Sequence, residues 1–195
     1  GKRPSSFHHG DLPDALIKAA TGLVEREGAS AVSLREAARI VGVSHTAPYR
    51  HFATREALLA AVAARGFQSL RQALNDAADG AGNVLLAMGQ AYLTFALSNP
   101  ELFRLMFASG LDRTQYDDLK SSADDAFAVL LQAAAARDTD APEDAALGAW
   151  ALVHGLAHLS ADGQLPKVRQ EEIRSGDLLK RVSMVYGLLP PPGRT

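Results

Sequence analysis

The sequence predicts an all-α fold of about nine helices, divided into an N-terminal three-helix helix-turn-helix domain and a C-terminal helical bundle. Three observations predict it. Apolar residues recur at three- and four-residue spacing along most of the chain. Alanine is abundant and β-branched runs are scarce. No stretch alternates apolar and polar residues as a half-buried strand would.

The first ten residues read as an arm. Asp11 is placed to cap a first helix, and Pro13 is tolerated in its first turn because the amide it lacks would have no partner there. Leu16, Ile17, Ala20, Leu23 and Val24 form the apolar stripe of that helix, and Gly28 ends it. Ser33 with Glu36 three residues on reads as a capping box for a second helix carrying Leu34, Ala37, Ala38 and Val41. Gly42 sits where a turn wants a left-handed backbone, and Ser44 is a candidate cap for a third helix from about His45 to Phe52. Pro48 fits that helix only near its start, so a short, tightened first turn is expected. Leu16, Val24, Leu34, Ala38, Ile40, Val43 and Phe52 should form the small core of this domain.

Thr54 caps a fourth, long helix through Leu58, Leu59, Val62, Phe67, Leu70 and Leu74, which fades at Asp79-Gly80-Ala81-Gly82. Further helices are expected over 83–98, 99–109, 115–137, 142–161 and 170–188. The breaks between them fall at Asn99-Pro100, Ser109-Gly110, Thr139-Asp140-Ala141-Pro142 and Asp162-Gly163. Pro190-Pro191-Pro192 cannot continue a helix. The expected division is residues 1–57 for the helix-turn-helix domain with its arm, 58–189 for the bundle, and 190–195 for a disordered tail.

Composition excludes several classes of chemistry. There is no cysteine, which removes disulfides, thiol catalysis, Cys-ligated zinc and iron–sulfur clusters. No Ser/His/Asp order, phosphate-binding loop or paired-carboxylate motif appears, so no enzyme activity and no cofactor is expected. His154 and His158 stand at i and i+4, a spacing a metal could use, but they lack an HExxH context; His8-His9 is a weaker case, and no metal site is expected. No apolar run reaches about 18 residues and residues 1–14 contain no apolar export segment, so a soluble cytoplasmic protein without a membrane partner is expected. Net charge is only −2. Residues 1–60 nevertheless carry eight Lys/Arg against six Asp/Glu and four of the six His, while 61–195 carry twelve against sixteen. The basic end coincides with the helix-turn-helix segment, as an electrostatic footprint for nucleic acid should.

A helix, a Gly-containing turn and a second polar-faced helix is how a chain lays one helix in a DNA major groove. On that reading Ser44, His45, Thr46, Ala47, Tyr49, Arg50 and His51 are exposed to the duplex. Thr46 and Ala47 can lie against a thymine methyl, and Arg50 or His45 can donate to guanine. Ser44, Tyr49 and His51 suit phosphates, which fix register, as do Arg55 in the next helix and Lys2 and Arg3 on the arm; Ser33 completes the set of DNA-binding candidates.

The ordered string Ala19-Ala20…Gly28, Ser33-Leu34-Arg35-Glu36-Ala37-Ala38, Val41-Gly42-Val43-Ser44, Tyr49-Arg50-His51-Phe52 and Arg55-Glu56-Ala57-Leu58-Leu59 closely resembles the N-terminal domain of the tetracycline-repressor (TetR) family of bacterial transcription regulators. The resemblance covers residues 14–62, about a quarter of the chain, and departs at Pro48, where Leu or Ile is commoner, and at Arg55, where Lys is commoner. Trp150-Ala151-Leu152-Val153-His154-Gly155-Leu156 resembles the branch of that family with a Trp…His-Gly second domain. The resemblance implies that helices one to three bind DNA and that the rest form a ligand-binding and dimerisation domain, the last two helices pairing with a second subunit in a four-helix bundle.

The C-terminal part agrees with that implication in its residue types. Met88, Tyr92, Phe95, Phe103, Met106, Phe107 and Phe127 are large apolar residues of a bundle that can leave a cavity, with Tyr92, Trp150 and His154 as its polar groups. Most of them would fill a core in any case. Helix 142–161 is apolar almost all round, with Gly148 and Gly155 permitting close approach, and helix 170–188 carries Ile173, Leu178, Leu179, Val182, Val185, Tyr186 and Leu189. A monomer would leave an apolar patch in water. The expected protein is a homodimer, paired through helices 142–161 and 170–188, that binds a palindromic double-stranded DNA operator and is released by a small apolar or aromatic effector. The competing reading is a helix-turn-helix or helical interaction protein with no small-molecule site.

Overall fold

The computed structural model describes residues 12–137 and 140–185, so the expectations for Lys2, Arg3, the Asp11 cap, Tyr186, Leu189 and the tail lie outside the described residues. Among the described residues there are nine α-helices and no strand. They are α1 (Leu12–Glu27), α2 (Leu34–Val41), α3 (Arg55–Ala78), α4 (Val84–Ser98), α5 (Pro100–Ala108), α6 (Asp117–Ala135), α7 (Pro142–Ala161), α8 (Lys167–Ser175) and α9 (Asp177–Val185).

The chain forms two compact units. One comprises Gly1–Phe67 with Glu101–Ser122; the other comprises Gln68–Pro100 with Ala123–Thr195. Helix α3 contributes its first half to one and its second half to the other.

In the first unit, α1 packs on α2 through Leu16, Ala20, Leu23 and Val24 against Leu34, Ala37 and Ala38. Ser33 caps α2 by accepting from the Glu36 amide at 3.1 Å. The capping box is only half formed: both Glu36 carboxylate oxygens take the Arg39 guanidinium instead, at 2.9 and 2.6 Å. That contact holds the Glu36 carboxyl below the usual carboxylate range. Gly42 ends α2 at φ 79°, ψ 29°. Its amide bonds to the carbonyls of Ala38 and Arg39, and the Val43 amide also reaches Ala38 at 3.0 Å, which is a Schellman stop. Ile40, expected in the core, is 42% exposed, because it lies off the 34/37/38/41 face that α2 turns inward.

Two expected helices differ. The third is a single 3₁₀ turn, Ala47–Arg50, not an α-helix from His45 to Phe52. Pro48 has no amide to give to the carbonyl of Ser44 and its ring would crowd that group, so the Ala47 amide takes it at 3.0 Å and the chain tightens. Ser44 therefore does not cap: Thr46 holds the cap position, without a side-chain cap bond. The last expected helix, 170–188, begins earlier and is two helices, α8 and α9, broken at Gly176 with φ 83°. Ser175 restarts the chain by accepting from the Asp177 amide at 3.3 Å.

Thr54 caps α3 through the Ala57 amide at 3.1 Å. Gly66 lets α5 approach α3: a Cβ there would lie 2.6 Å from Met106 Sδ. Arg55, in the first turn of α3, donates from Nε to the Val32 carbonyl at 2.8 Å and from Nη2 to the Ala29 carbonyl at 2.6 Å. In the second unit α4 packs along α7 and touches α8 and α9. Its Gln90 donates to the Ile173 carbonyl at 2.9 Å, and Gly89 faces Leu179 and Val153. Glu172 of α8 takes Arg169 of the same helix and Arg181 of α9, each at 2.8 Å, which holds its carboxyl below the usual range.

Two stability predictions follow from these geometries. A Cβ on Gly42 would meet no atom within 4 Å, so Gly42→Ala tests the left-handed backbone alone. It should cost about 1–2 kcal/mol in a denaturant titration; a neutral result would mean the turn relaxes. Arg55→Ala removes two carbonyl contacts of a part-exposed guanidinium and should cost about 1–2 kcal/mol, measured the same way.

Candidate functional site

The segment from Ser44 to Phe52 is held from below by two residues. Pro48 and Phe52 are buried, and the Phe52 amide returns to the Pro48 carbonyl at 2.9 Å. With those two turned in, Ser44, His45, Thr46, Tyr49, Arg50 and His51 are exposed and Ala47 is half-buried; Tyr49 keeps 52% of its surface in water. Apolar anchors beneath a four-residue turn leave the polar side chains nowhere to go but outward. Among the described residues no side chain bonds to His45, Tyr49, Arg50 or His51, so their donors are available to a partner. Ser44 and Thr46 share a hydroxyl–hydroxyl hydrogen bond of 3.2 Å.

The flanking candidates are arranged differently. The Ser33 oxygen is taken as a helix cap, which leaves its O–H as a donor. Arg55, expected at a phosphate, has its guanidinium committed to the two carbonyls of the α1–α2 connection, with Nη1 3.5 Å from Glu56. Arg35, exposed and without a side-chain partner among the described residues, is a cation that sequence reasoning passed over; its place in the first turn of α2, two residues after the Ser33 cap, was the available signal.

The nine pocket candidates divide between the units. Phe103, Met106 and Phe107 of α5 belong to the first. There Phe107 packs on Phe67 at 5.1 Å and on Phe103 at 4.8 Å between ring centroids. Arg113 lies over Phe67 and Phe107 at 4.9 and 5.6 Å and donates to the Met106 carbonyl at 3.0 Å, a guanidinium lid on an aromatic group that spacing alone did not suggest.

Met88, Tyr92, Phe95, Phe127, Trp150 and His154 belong to the second unit. Met88 and Tyr92 are buried and Phe95 is half-buried on α4. The Tyr92 hydroxyl and His154 Nδ1 are 2.7 Å apart. Trp150 lies 5.4 Å from the His154 ring and 5.9 Å from that of Phe127, and His158 stands edge-on to His154 at 4.5 Å. A turn of 3.6 residues sorts α7 into three faces. Ala146, Val153, Ala157 and Ser160 are buried; Trp150, His154 and His158 form a half-buried row of rings; Leu147, Gly148, Ala151, Gly155 and Leu159 are exposed. No group of three or more His, Asp or Glu among the described residues could hold a metal ion. No helix among them is long and apolar enough to cross a membrane.

Residues 16–62 match the family of bacterial regulatory proteins, tetR family, and residues 85–180 match the tetracyclin repressor-like C-terminal domain. No curated protein sequence matches the chain. Among solved structures, a protein of unknown function from Rhodococcus sp. RHA1 is 31% identical, with a TM-score of 0.77 over 91% of this chain and 98% of that one. A tetR-family bacterial regulatory protein from Rhodococcus RHA1 is 23% identical, with a TM-score of 0.62 over 87% and 95%. The multidrug binding protein EbrR, complexed with imidazole, is 20% identical, with a TM-score of 0.59 over 93% and 97%. The exposed turn, the helices that carry it and both family matches agree: the chain belongs to the tetracycline-repressor (TetR) family, whose members are transcription regulators with a DNA-binding helix-turn-helix and not enzymes.

Proposed function

We propose that this regulator is a cytoplasmic, ligand-responsive repressor that binds a near-palindromic operator as a homodimer and is released by a small apolar or aromatic effector. The observation that carries the DNA half is the exposed donor set His45, Tyr49, Arg50 and His51 on a turn pinned by buried Pro48 and Phe52. Arg50 is the base-reading candidate because a guanidinium matches guanine bidentately; Thr46 and Ala47 suit a thymine methyl; Ser33, Ser44, Tyr49 and His51 suit phosphates. Lys2 and Arg3 on the arm and Arg55 remain candidates for the backbone, Arg55 through whatever part of its guanidinium the carbonyls leave.

Dimerisation is supported by the outer face of α7. Leu147 is 53% exposed and Leu159 40%, and Cβ atoms on Gly148 and Gly155 would meet nothing. Met184 and Val185 on α9 are exposed as well. A second copy would cover this apolar face, and two heads about 34–36 Å apart would meet successive major grooves.

Sensing is supported by the ring cluster of α4, α6 and α7 and by the fold shared with EbrR, a multidrug binding protein. The effector must bind the DNA-incompetent form more tightly, or it could not release the operator. Helix α3, which carries residues of both units, is the lever on this reading.

An operator selected from random duplexes tests the proposal by gel shift. Arg50→Ala should weaken binding about tenfold or more with the fold intact; unchanged affinity removes Arg50 from the interface. Leu147→Glu should convert a dimer to a monomer in sedimentation velocity, and a wild-type protein that already sediments as a monomer defeats the paired reading.

A further inference from the structure

We infer that Arg55 is a positioning residue for operator recognition: its guanidinium locks the start of α3 to the α1–α2 connection and so orients the 44–52 segment, and its charge does not go to a DNA phosphate. Resting on the proposal that this segment reads the operator, the assignment decides between the two roles open to Arg55, phosphate contact and frame.

The geometry spends the guanidinium. Nε donates to the Val32 carbonyl at 2.8 Å and Nη2 to the Ala29 carbonyl at 2.6 Å, so one edge of the planar fork is closed by two main-chain oxygens. Those carbonyls bracket the 3₁₀ turn Ala29–Ala31. The third nitrogen, Nη1, stands 3.5 Å from the Glu56 carboxylate. A phosphate drawn to that nitrogen would share it with a second negative group, and the two would repel. A phosphate on the closed edge would strip both carbonyls of their donor.

The gripped chain leads into the reading unit from both sides. Val32 precedes Ser33, the cap of α2, and Thr54, the cap of α3, precedes Arg55. One side chain therefore ties the first residue of α3 to the residue before the cap of α2. The 44–52 segment runs between the end of α2 and the start of α3. It is folded on itself, with the amides of His51 and Phe52 both returning to the Pro48 carbonyl at 2.9 Å, and it sits on buried Pro48 and Phe52. Its aim then follows the two helices that flank it. Base readout needs donors placed to hydrogen-bond geometry, whereas attraction to phosphates tolerates displacement. A defect in the frame falls on discrimination between sequences; a lost phosphate contact falls on every duplex.

That contrast gives the test. The full chain is titrated by fluorescence anisotropy against the selected operator and a scrambled duplex of equal length, at about 50 to 200 mM salt. Arg55→Lys and Arg55→Ala should each weaken operator binding about tenfold, hold the scrambled duplex within about twofold, and leave the slope of log affinity against log salt unchanged. A phosphate contact gives the opposite pattern: lysine restores affinity, alanine weakens both duplexes, and the slope falls by about 0.9 for each protomer. Any of those results overturns the assignment, as does an operator affinity that neither substitution changes. Equal loss on both duplexes with the slope intact reduces Arg55 to a contributor to stability and overturns it too. A measurement on the unsubstituted chain covers variants that fail to fold. The Arg55 Nε proton, held by the Val32 carbonyl, should exchange slowly with solvent by NMR before any DNA is added; exchange as fast as that of free arginine defeats the assignment. Arg50 judges the parent reading separately. If Arg50→Ala leaves operator affinity unchanged, the reading of 44–52 falls; if it weakens binding and the Arg55 variants do not, only the positioning role falls.

Discussion

One guanidinium fastens the DNA-reading unit. Arg55 opens the longest helix, and its two carbonyl contacts reach back to Ala29 and Val32, the chain between α1 and α2. A planar fork can hold two carbonyls at once in fixed geometry; a lysine ammonium would hold them as a point charge on a flexible stem. The start of α3 is thereby fixed relative to α1 and α2, and the 47–50 turn, which lies between α2 and α3 in the chain, has both its ends set. The orientation of His45, Tyr49 and Arg50 depends on that frame more than on any contact they make themselves.

Within the frame, backbone chemistry shapes the reading surface. Gly42 stops α2 by a left-handed residue, and Pro48 prevents the next segment from becoming a full helix. A 3₁₀ turn repeats every three residues, so side chains at i and i+3 eclipse. The surface we propose for DNA is consequently short and consists of two rows, Thr46 with Tyr49 and Ala47 with Arg50. The second unit solves a different problem. Helix α7 has an inward face toward α4, a row of rings beside it, and an apolar face left open, so one helix carries core, candidate ligand contacts and candidate pairing surface on successive sides.

Much of this was legible in the residues. Caps at Ser33 and Thr54, the stop at Gly42, the burial of Phe52 and the bounds of helix 142–161 all follow from local rules that act over three or four residues. The expectations that changed share a cause. Ile40 sits one step off the buried stripe, the tightening expected at Pro48 for a first turn takes the whole segment, and Gly176 broke a helix whose apolar spacing continues across it. In each, a single backbone or facing constraint overrode a periodicity that averages over many positions.

The sequence by itself determined the helical class, the helix-turn-helix segment and the family, because these depend on spacing and on residues that act on their own neighbourhood. Tertiary structure decided the partners. It gave Arg55 to two carbonyls 23 and 26 residues away, joined Tyr92 to His154 across 62, and assigned Phe103, Met106 and Phe107 to a different unit from Trp150 and His154. Contacts between residues so far apart are set by how helices pack, and helix packing leaves no mark in the local order of residues.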